Sequence, residues 1–212
     1  GIHRLRKAAG KDPREWLQGQ DAYTLHKPVR RKYKKRRYIT SGINDLWQDD
    51  LAEMGGLAEV KEGVKYILIV IDVFSKFVWF SYLKSKNKEE VLAGFKIILM
   101  GTDNRPRNLM TDKGKEFDNE MFKGYCKDNH INFYTSQNPD VKAAVAERVI
   151  RTLKSRLYRF FTYKQSWKYL NAFKNIVESN NKTKHRSIGM APIEVNKKTK
   201  DTVRKKLYPV EY

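Results

Sequence analysis

Three acidic residues stand where phosphate chemistry could be done. Asp112 sits in Leu109-Met110-Thr111-Asp112-Lys113-Gly114-Lys115-Glu116-Phe117, at the expected end of a strand with a glycine soon after it. Glu147 sits in Lys142-Ala143-Ala144-Val145-Ala146-Glu147-Arg148-Val149-Ile150-Arg151-Thr152-Leu153-Lys154, a basic stretch, with 34 residues between the two acids. Asp50 comes earlier, in Leu46-Trp47-Gln48-Asp49-Asp50-Leu51. Cleavage and transfer of a phosphodiester by two metal ions needs hard oxygen ligands clustered where one phosphate bridges both ions. One ion activates the attacking water or 3′-hydroxyl and the other stabilises the leaving oxygen, so carboxylates suffice without His or Cys. Each acid also has a plainer reading. Asp112 would serve as a strand-terminal turn residue, with Gly114 permitting a sharp turn. Glu147 would join Arg151 and Lys154 in a surface ion-pair ladder worth tenths of a kcal/mol.

The elements that must position these acids are legible in the hydrophobic pattern. Asp45 to Leu51 reads as a strand. The apolar run Lys65 to Ile71 is that of a strand buried on both faces, and Phe77 to Leu83 is β-branched and aromatic. Asp72 closes the turn between them with Ser75. Glu89 to Met100 has helical spacing, Arg107 to Thr111 is a fourth strand, Asn119 to Asp128 a helix, and Ile131 to Tyr134 a fifth strand. A long helix is expected from about Val141 to Phe161, with Asp140 as its cap. On it Ala146, Ile150, Leu153, Leu157 and Phe161 form an apolar face, beside a stripe of Glu147, Arg151, Lys154 and Tyr158. Helices at about Trp167 to Asn180 and at Pro192 to Lys197 follow. Glu116 and Asp118 favour the start of the next helix, and Glu53 falls beyond the first strand. This element order is similar to that of the RNase H-like fold: α/β, a five-stranded mixed sheet flanked by helices. The expected divisions are a basic extension over residues 1–40, a core over 41–200, and the start of a truncated region over 201–212.

Composition narrows the partner. Lys and Arg total 44 against 24 Asp and Glu, a formal net charge of +20 in 212 residues. That surplus points to a polyanion, either DNA or the RNA of a basic ribosomal-type protein. The block Arg30-Arg31-Lys32-Tyr33-Lys34-Lys35-Arg36-Arg37 holds seven cations in eight positions and cannot lie on a core. A DNA-phosphate arm, a nuclear localisation signal and a solvated linker all fit it. One cysteine, Cys126, excludes an internal disulfide, and four scattered histidines make no zinc module. The longest apolar run, Tyr66 to Ile71, is too short to span a membrane. The chain opens on polar and basic residues rather than a signal peptide.

Trp47-Gln48-x-Asp50, Thr111-Asp112-x-Gly114-x-x-Phe117 and Glu147 on a basic helix resemble the catalytic core of retroviral-type DDE integrases. Further segments look like the integrases of Maverick/Polinton DNA transposons. These are Asp21 to Pro28, Tyr66 to Phe77, Glu147-Arg148-x-x-Arg151-Thr152-Leu153-Lys154, and His185-Arg186-Ser187-Ile188-Gly189-Met190-Ala191-Pro192. The resemblance implies Asp50, Asp112 and Glu147 as catalytic metal ligands for two Mg²⁺ or Mn²⁺ ions. It implies trimming of element ends, attack of the freed 3′-hydroxyl on target DNA, a homo-oligomer holding double-stranded DNA, and work in the nucleus. Arg30, Arg31, Lys32, Lys34, Lys35, Arg36, Arg37, Lys142, Arg151 and Lys154 are the expected DNA contacts. An integrase-like DNA-binding protein without catalysis is the alternative. A ribonuclease H-type nuclease would want a fourth core carboxylate and a less basic surface. An N-terminal zinc-binding module and a C-terminal reader domain are missing from these residues. Asp49, directly before Asp50, is an unusual second acid, expected to face away from the metals and to pair with an exposed cation.

Overall fold

The computed structural model describes residues 6, 12–26, 38–54, 63–136, 143–166 and 169–209. Five strands form one sheet: β1 (Leu46–Glu53), β2 (Tyr66–Asp72), β3 (Val78–Leu83), β4 (Asn108–Thr111) and β5 (Asn132–Thr135), in the order β3-β2-β1-β4-β5. β1 runs antiparallel to β2, with Asp50 opposite Ile69, and parallel to β4, with Gln48 opposite Met110. This is the expected RNase H-like arrangement. β1 runs on to Glu53, which pairs with Tyr66, so Glu53 lies inside the first strand and not beyond it.

Helices cover both faces, because a sheet with two apolar faces must bury both. On one face lie α3 (Lys88–Met100) and α4 (Glu120–Asp128), packing Val91, Phe95, Phe122 and Cys126 against Trp47, Leu68 and Val70. Asparagines start both helices. Asn87 accepts from the amide of Glu90 at 2.8 Å and Asn119 from that of Phe122 at 3.0 Å, each satisfying a donor that has no partner within its helix. Asp118 therefore acts elsewhere, holding Lys123 at 2.8 Å.

The other face carries α5 (Ala144–Lys164) and α6 (Leu170–Asn181). Ala146, Ile150, Leu153, Leu157 and Phe161 are all buried against Ile67, Ile69, Ala52 and Phe173, as the 3.6-residue period requires. α5 begins at Ala144, later than the expected Val141, and Asp140 lies outside the described residues. The residue before the helix, Ala143, has no side chain able to cap it.

Residues 12–26 add two short helices, α1 (Arg14–Gln18) and α2 (Asp21–Thr24). His26 reaches across to α5, with Nε2 3.0 Å from Thr162 Oγ1 and its ring stacked on Tyr158. At the other end of the chain the helix expected over Pro192 to Lys197 shrinks to one 3₁₀ turn, Pro192–Glu194. Beyond it α7 (Lys200–Leu207) buries Val203 against Phe74 and Ile188. The Tyr208 hydroxyl accepts from the Thr40 amide at 2.9 Å and donates to the Tyr38 carbonyl at 3.1 Å. Among the described residues no helix is long and apolar enough to cross a membrane.

Candidate active site

Strand alternation places Asp50 on the face of β1 that looks toward α5, with Gln48 and Ala52. The Leu51 amide donates to Asp50 Oδ1 at 2.8 Å. Asp112 stands one residue past β4, where Oδ1 accepts from the Gly114 amide at 3.0 Å. Gly114 is not in the left-handed region. A side chain there would instead meet the flexible carboxylate of Glu116, so close approach rather than a sharp turn marks this glycine. Glu147 occupies the first turn of α5, half-buried, with its amide bonded to the Ala143 carbonyl at 2.9 Å.

Asp112 and Glu147, carried by two other elements, both act on the Asp50 carboxyl. Burial pushes Asp50 up to about 6, opposed by the Leu51 amide, raised further by Asp112 and Glu147, and opposed again by Lys154. A concentration of negative charge in a partly closed site is what a divalent cation relieves. Among the described residues, however, no three His, Cys, Asp or Glu side chains stand close enough to form a ready-made metal cage. Mg²⁺ does not demand one: it is commonly held by one or two carboxylates, with waters and substrate phosphates completing the shell. The donor set therefore fits a hard divalent ion by its chemistry, and Asp50, Asp112 and Glu147 are the residues that would hold it.

Other expected residues fall differently. Asp49 is not an exposed ion-pair partner. It is fully buried, and among the described residues neither carboxylate oxygen has a hydrogen-bond partner. It shares its face of β1 with Trp47 and Leu51, toward α4, where burial and the Asp49 charge push the Cys126 thiol up to about 12. Burial, then Asp50 and Asp112, hold the Asp49 carboxyl well above the usual range. Lys154 does not project freely to solvent: its Nζ donates to the Glu53 carbonyl at 2.7 Å, at the end of β1. Arg151 is exposed on the Glu147 stripe. Arg30, Arg31, Lys32, Lys34, Lys35, Arg36, Arg37 and Lys142 lie outside the described residues. Asp72 does close its turn, accepting from the Ser75 hydroxyl at 2.6 Å and the Ser75 amide at 3.1 Å.

Sequence reasoning assigned no role to Gln48 or Tyr38. Gln48 is wholly buried and reaches α5, and the Tyr38 phenol hydrogen-bonds to the Gln48 side chain within electrostatic range of Glu147. For Gln48 the signal in the sequence was its place beside Trp47 in the motif Trp47-Gln48-x-Asp50.

Residues 41–139 match the integrase core domain, a span that includes Asp50 and Asp112 and stops short of Glu147. An uncharacterised transposon-derived protein of Caenorhabditis elegans is 31% identical over 136 residues, 64% of this chain. That match spans about half of the relative, 47% of its length. Among solved structures, the HTLV-2 integrase catalytic core in complex with magnesium superposes with a TM-score of 0.60 at 20% identity, covering 76% of this chain and 99% of that one. The simian T-cell lymphotropic virus intasome gives 0.65 at 17% identity, covering 93% and 76%. The BIV integrase catalytic core gives 0.55 at 22%, covering 71% and 92%. The structural likenesses carry the fold, and the two sequence matches are likenesses to an integrase core domain and to a transposon-derived protein.

Proposed function

We propose that the chain is the catalytic core of a DDE-type integrase that trims the ends of a transposon, of Maverick/Polinton type, and joins the freed 3′-hydroxyl to target DNA. The observation that supports this reading is that Asp112, at the end of β4, and Glu147, on α5, both raise the Asp50 carboxyl on β1. Mg²⁺ or Mn²⁺ held by these carboxylates would supply Lewis acidity at the phosphate and a more acidic attacking hydroxyl. The chain's own side chains do the rest. Arg151, exposed one turn beyond Glu147, is placed to take a DNA phosphate next to the scissile one. Lys154, fixed to the end of β1, holds a positive charge beside Asp50. The net charge of +20 supplies non-specific affinity for double-stranded DNA. Handling two element ends at once calls for a homo-oligomer, and the Arg30–Arg37 block suits entry to the nucleus.

The test is strand transfer with duplexes ending in candidate terminal repeats, in Mg²⁺ and in Mn²⁺, comparing the native chain with Glu147→Gln. Gln keeps the shape and removes the ligand charge, so products should fall more than about a hundredfold while DNA affinity holds. Wild-type rates in the Gln variant would refute the site. The second reading, a DNA-binding protein of this fold without catalysis, is favoured by the lack of a closed three-ligand group among the described residues. Salt-sensitive DNA binding with no metal-dependent product from the native chain would decide for it.

A further inference from the structure

We infer that Gln48 is the positioning residue that registers all three carboxylate-bearing elements against one another. The inference rests on the reading above and deepens it. The first amides of any α-helix lack partners within the helix, and a side chain just before it usually accepts from them. Ala143 offers no such group. The acceptor comes instead from another element nearly a hundred residues away. Gln48 Oε1 takes the Val145 amide at 2.9 Å and the Ala146 amide at 3.3 Å.

The remaining end of the same amide reaches the third element. Gln48 Nε2 lies 3.6 Å from Met110 Sδ, a weak acceptor on β4. Three of the residues joined fall two before a carboxylate: Gln48 precedes Asp50, Met110 precedes Asp112, and Val145 precedes Glu147 by that same step. On β1 a step of two keeps Gln48 and Asp50 on one face, so the contact and that acid move together. A wholly buried polar side chain so committed cannot shift without breaking bonds at two elements, which fixes the spread of the three acids. Since a misplacement of about 1 Å at a reacting centre can cost on the order of a hundredfold in rate, this register is what a transfer reaction would need.

The experiment uses the full chain with Gln48→Met, which keeps length and volume and removes both polar atoms. It adds a double variant in which Ala143→Ser restores a local acceptor for the same two amides. Two readouts are taken: exchange of the Val145 and Ala146 amide hydrogens, and strand-transfer kcat beside DNA Kd. Gln48→Met should speed exchange at those amides and lower kcat by roughly tenfold to a hundredfold with Kd within about twofold. The double variant should regain amide protection and melting temperature while kcat stays low, because a local cap holds the helix without tying it to β1. If recapping restores kcat, Gln48 is only a cap and the inference falls. Unchanged exchange or unchanged kcat in Gln48→Met overturns it as well. Should the native chain show no transfer, the functional reading fails by itself. The exchange data then still decide whether Gln48 holds the helix, and slow exchange in Gln48→Met would refute that tie.

Discussion

Asp49 and Asp50 are neighbours on β1 and stand on opposite sides of the sheet. Asp49 is fully buried, with both oxygens unbonded among the described residues, while Asp50 lies on the face toward α5 with the Leu51 amide on one oxygen. The first is costly to ionise and the second is costly mainly until a cation arrives.

Separate Asp49→Asn and Asp50→Asn variants should therefore diverge. Asp49→Asn keeps most activity and gains stability at neutral pH by about 1 kcal/mol or more, since an unpaired buried charge no longer forms. For a chain of this size that is roughly 2–4 °C in melting temperature. The sign follows from the raised carboxyl: the stability Asp49 contributes is complete below its unfolded pKa, about 4, and is lost as pH rises through the folded value. Asp50→Asn should lose strand transfer with little change in melting temperature. Loss of activity in the Asp49→Asn variant alone would move the metal ligand by one residue and turn over the strand register.

Arg151 and Lys154 share a helical stripe, yet their surroundings differ. Replacing Arg151 with Ser should reduce the log–log slope of DNA affinity against salt by about 0.9, one phosphate contact on duplex DNA. Lys154→Met should change the slope less, because its ammonium is already engaged by the Glu53 carbonyl. Titration of a fluorescent duplex from about 50 to 200 mM salt measures both. Equal slopes for the two variants would show that Lys154 leaves Glu53 when DNA binds.

The sheet, the buried face of α5 and the Asp72–Ser75 turn were legible because each rests on local spacing. Ala146, Ile150, Leu153, Leu157 and Phe161 repeat at the helical period, and burial follows directly from that. Asp49 was not legible in the same way. Alternation says that Asp49 and Asp50 oppose each other, but both faces of β1 are covered, so the pattern cannot tell which acid is sealed. The long-range contacts of Gln48 and Lys154 were not legible for a different reason. Their partners, Val145 and Glu53, lie about a hundred residues away and exist only once the sheet and α5 have docked. The same holds for His26 on Thr162, which joins a segment that composition marked as a mere extension.

The Arg30–Arg37 block should contribute sequence-independent affinity. Replacing its seven cations with Ser should flatten the salt slope by several units, at about 0.9 per phosphate released. The measurement is the same titration, run on specific and random duplexes, and both should weaken alike. An unchanged slope leaves the block as a linker or a localisation signal.

His185 gives the chain an acid-sensitive point in the segment after α6. Burial depresses its pKa to about 4, and the charges of Lys76, Arg148, Arg156 and Arg186 push the same way. The geometry agrees, since Nδ1 accepts from the Ser187 amide at 3.3 Å and must be unprotonated to do so. Unfolded, the ring would titrate near 6.5. Between about pH 6.5 and 4 the unfolded state therefore binds the extra proton, and stability falls as pH drops through that window. The full shift corresponds to about 3 kcal/mol, reduced to roughly 1–3 for a ring that keeps some solvent contact. Asp49 and Asp50 carry the opposite sign over much of the same range, so the total curve alone would hide the effect. The difference between the native chain and His185→Gln cancels those acids. Melting temperatures taken from pH 7 to 4 should show the native chain losing more stability than the Gln variant, with the gap opening below about pH 6.5. Parallel curves would mean that the imidazole is protonated in the folded state without cost, and that the Ser187 contact does not hold it neutral.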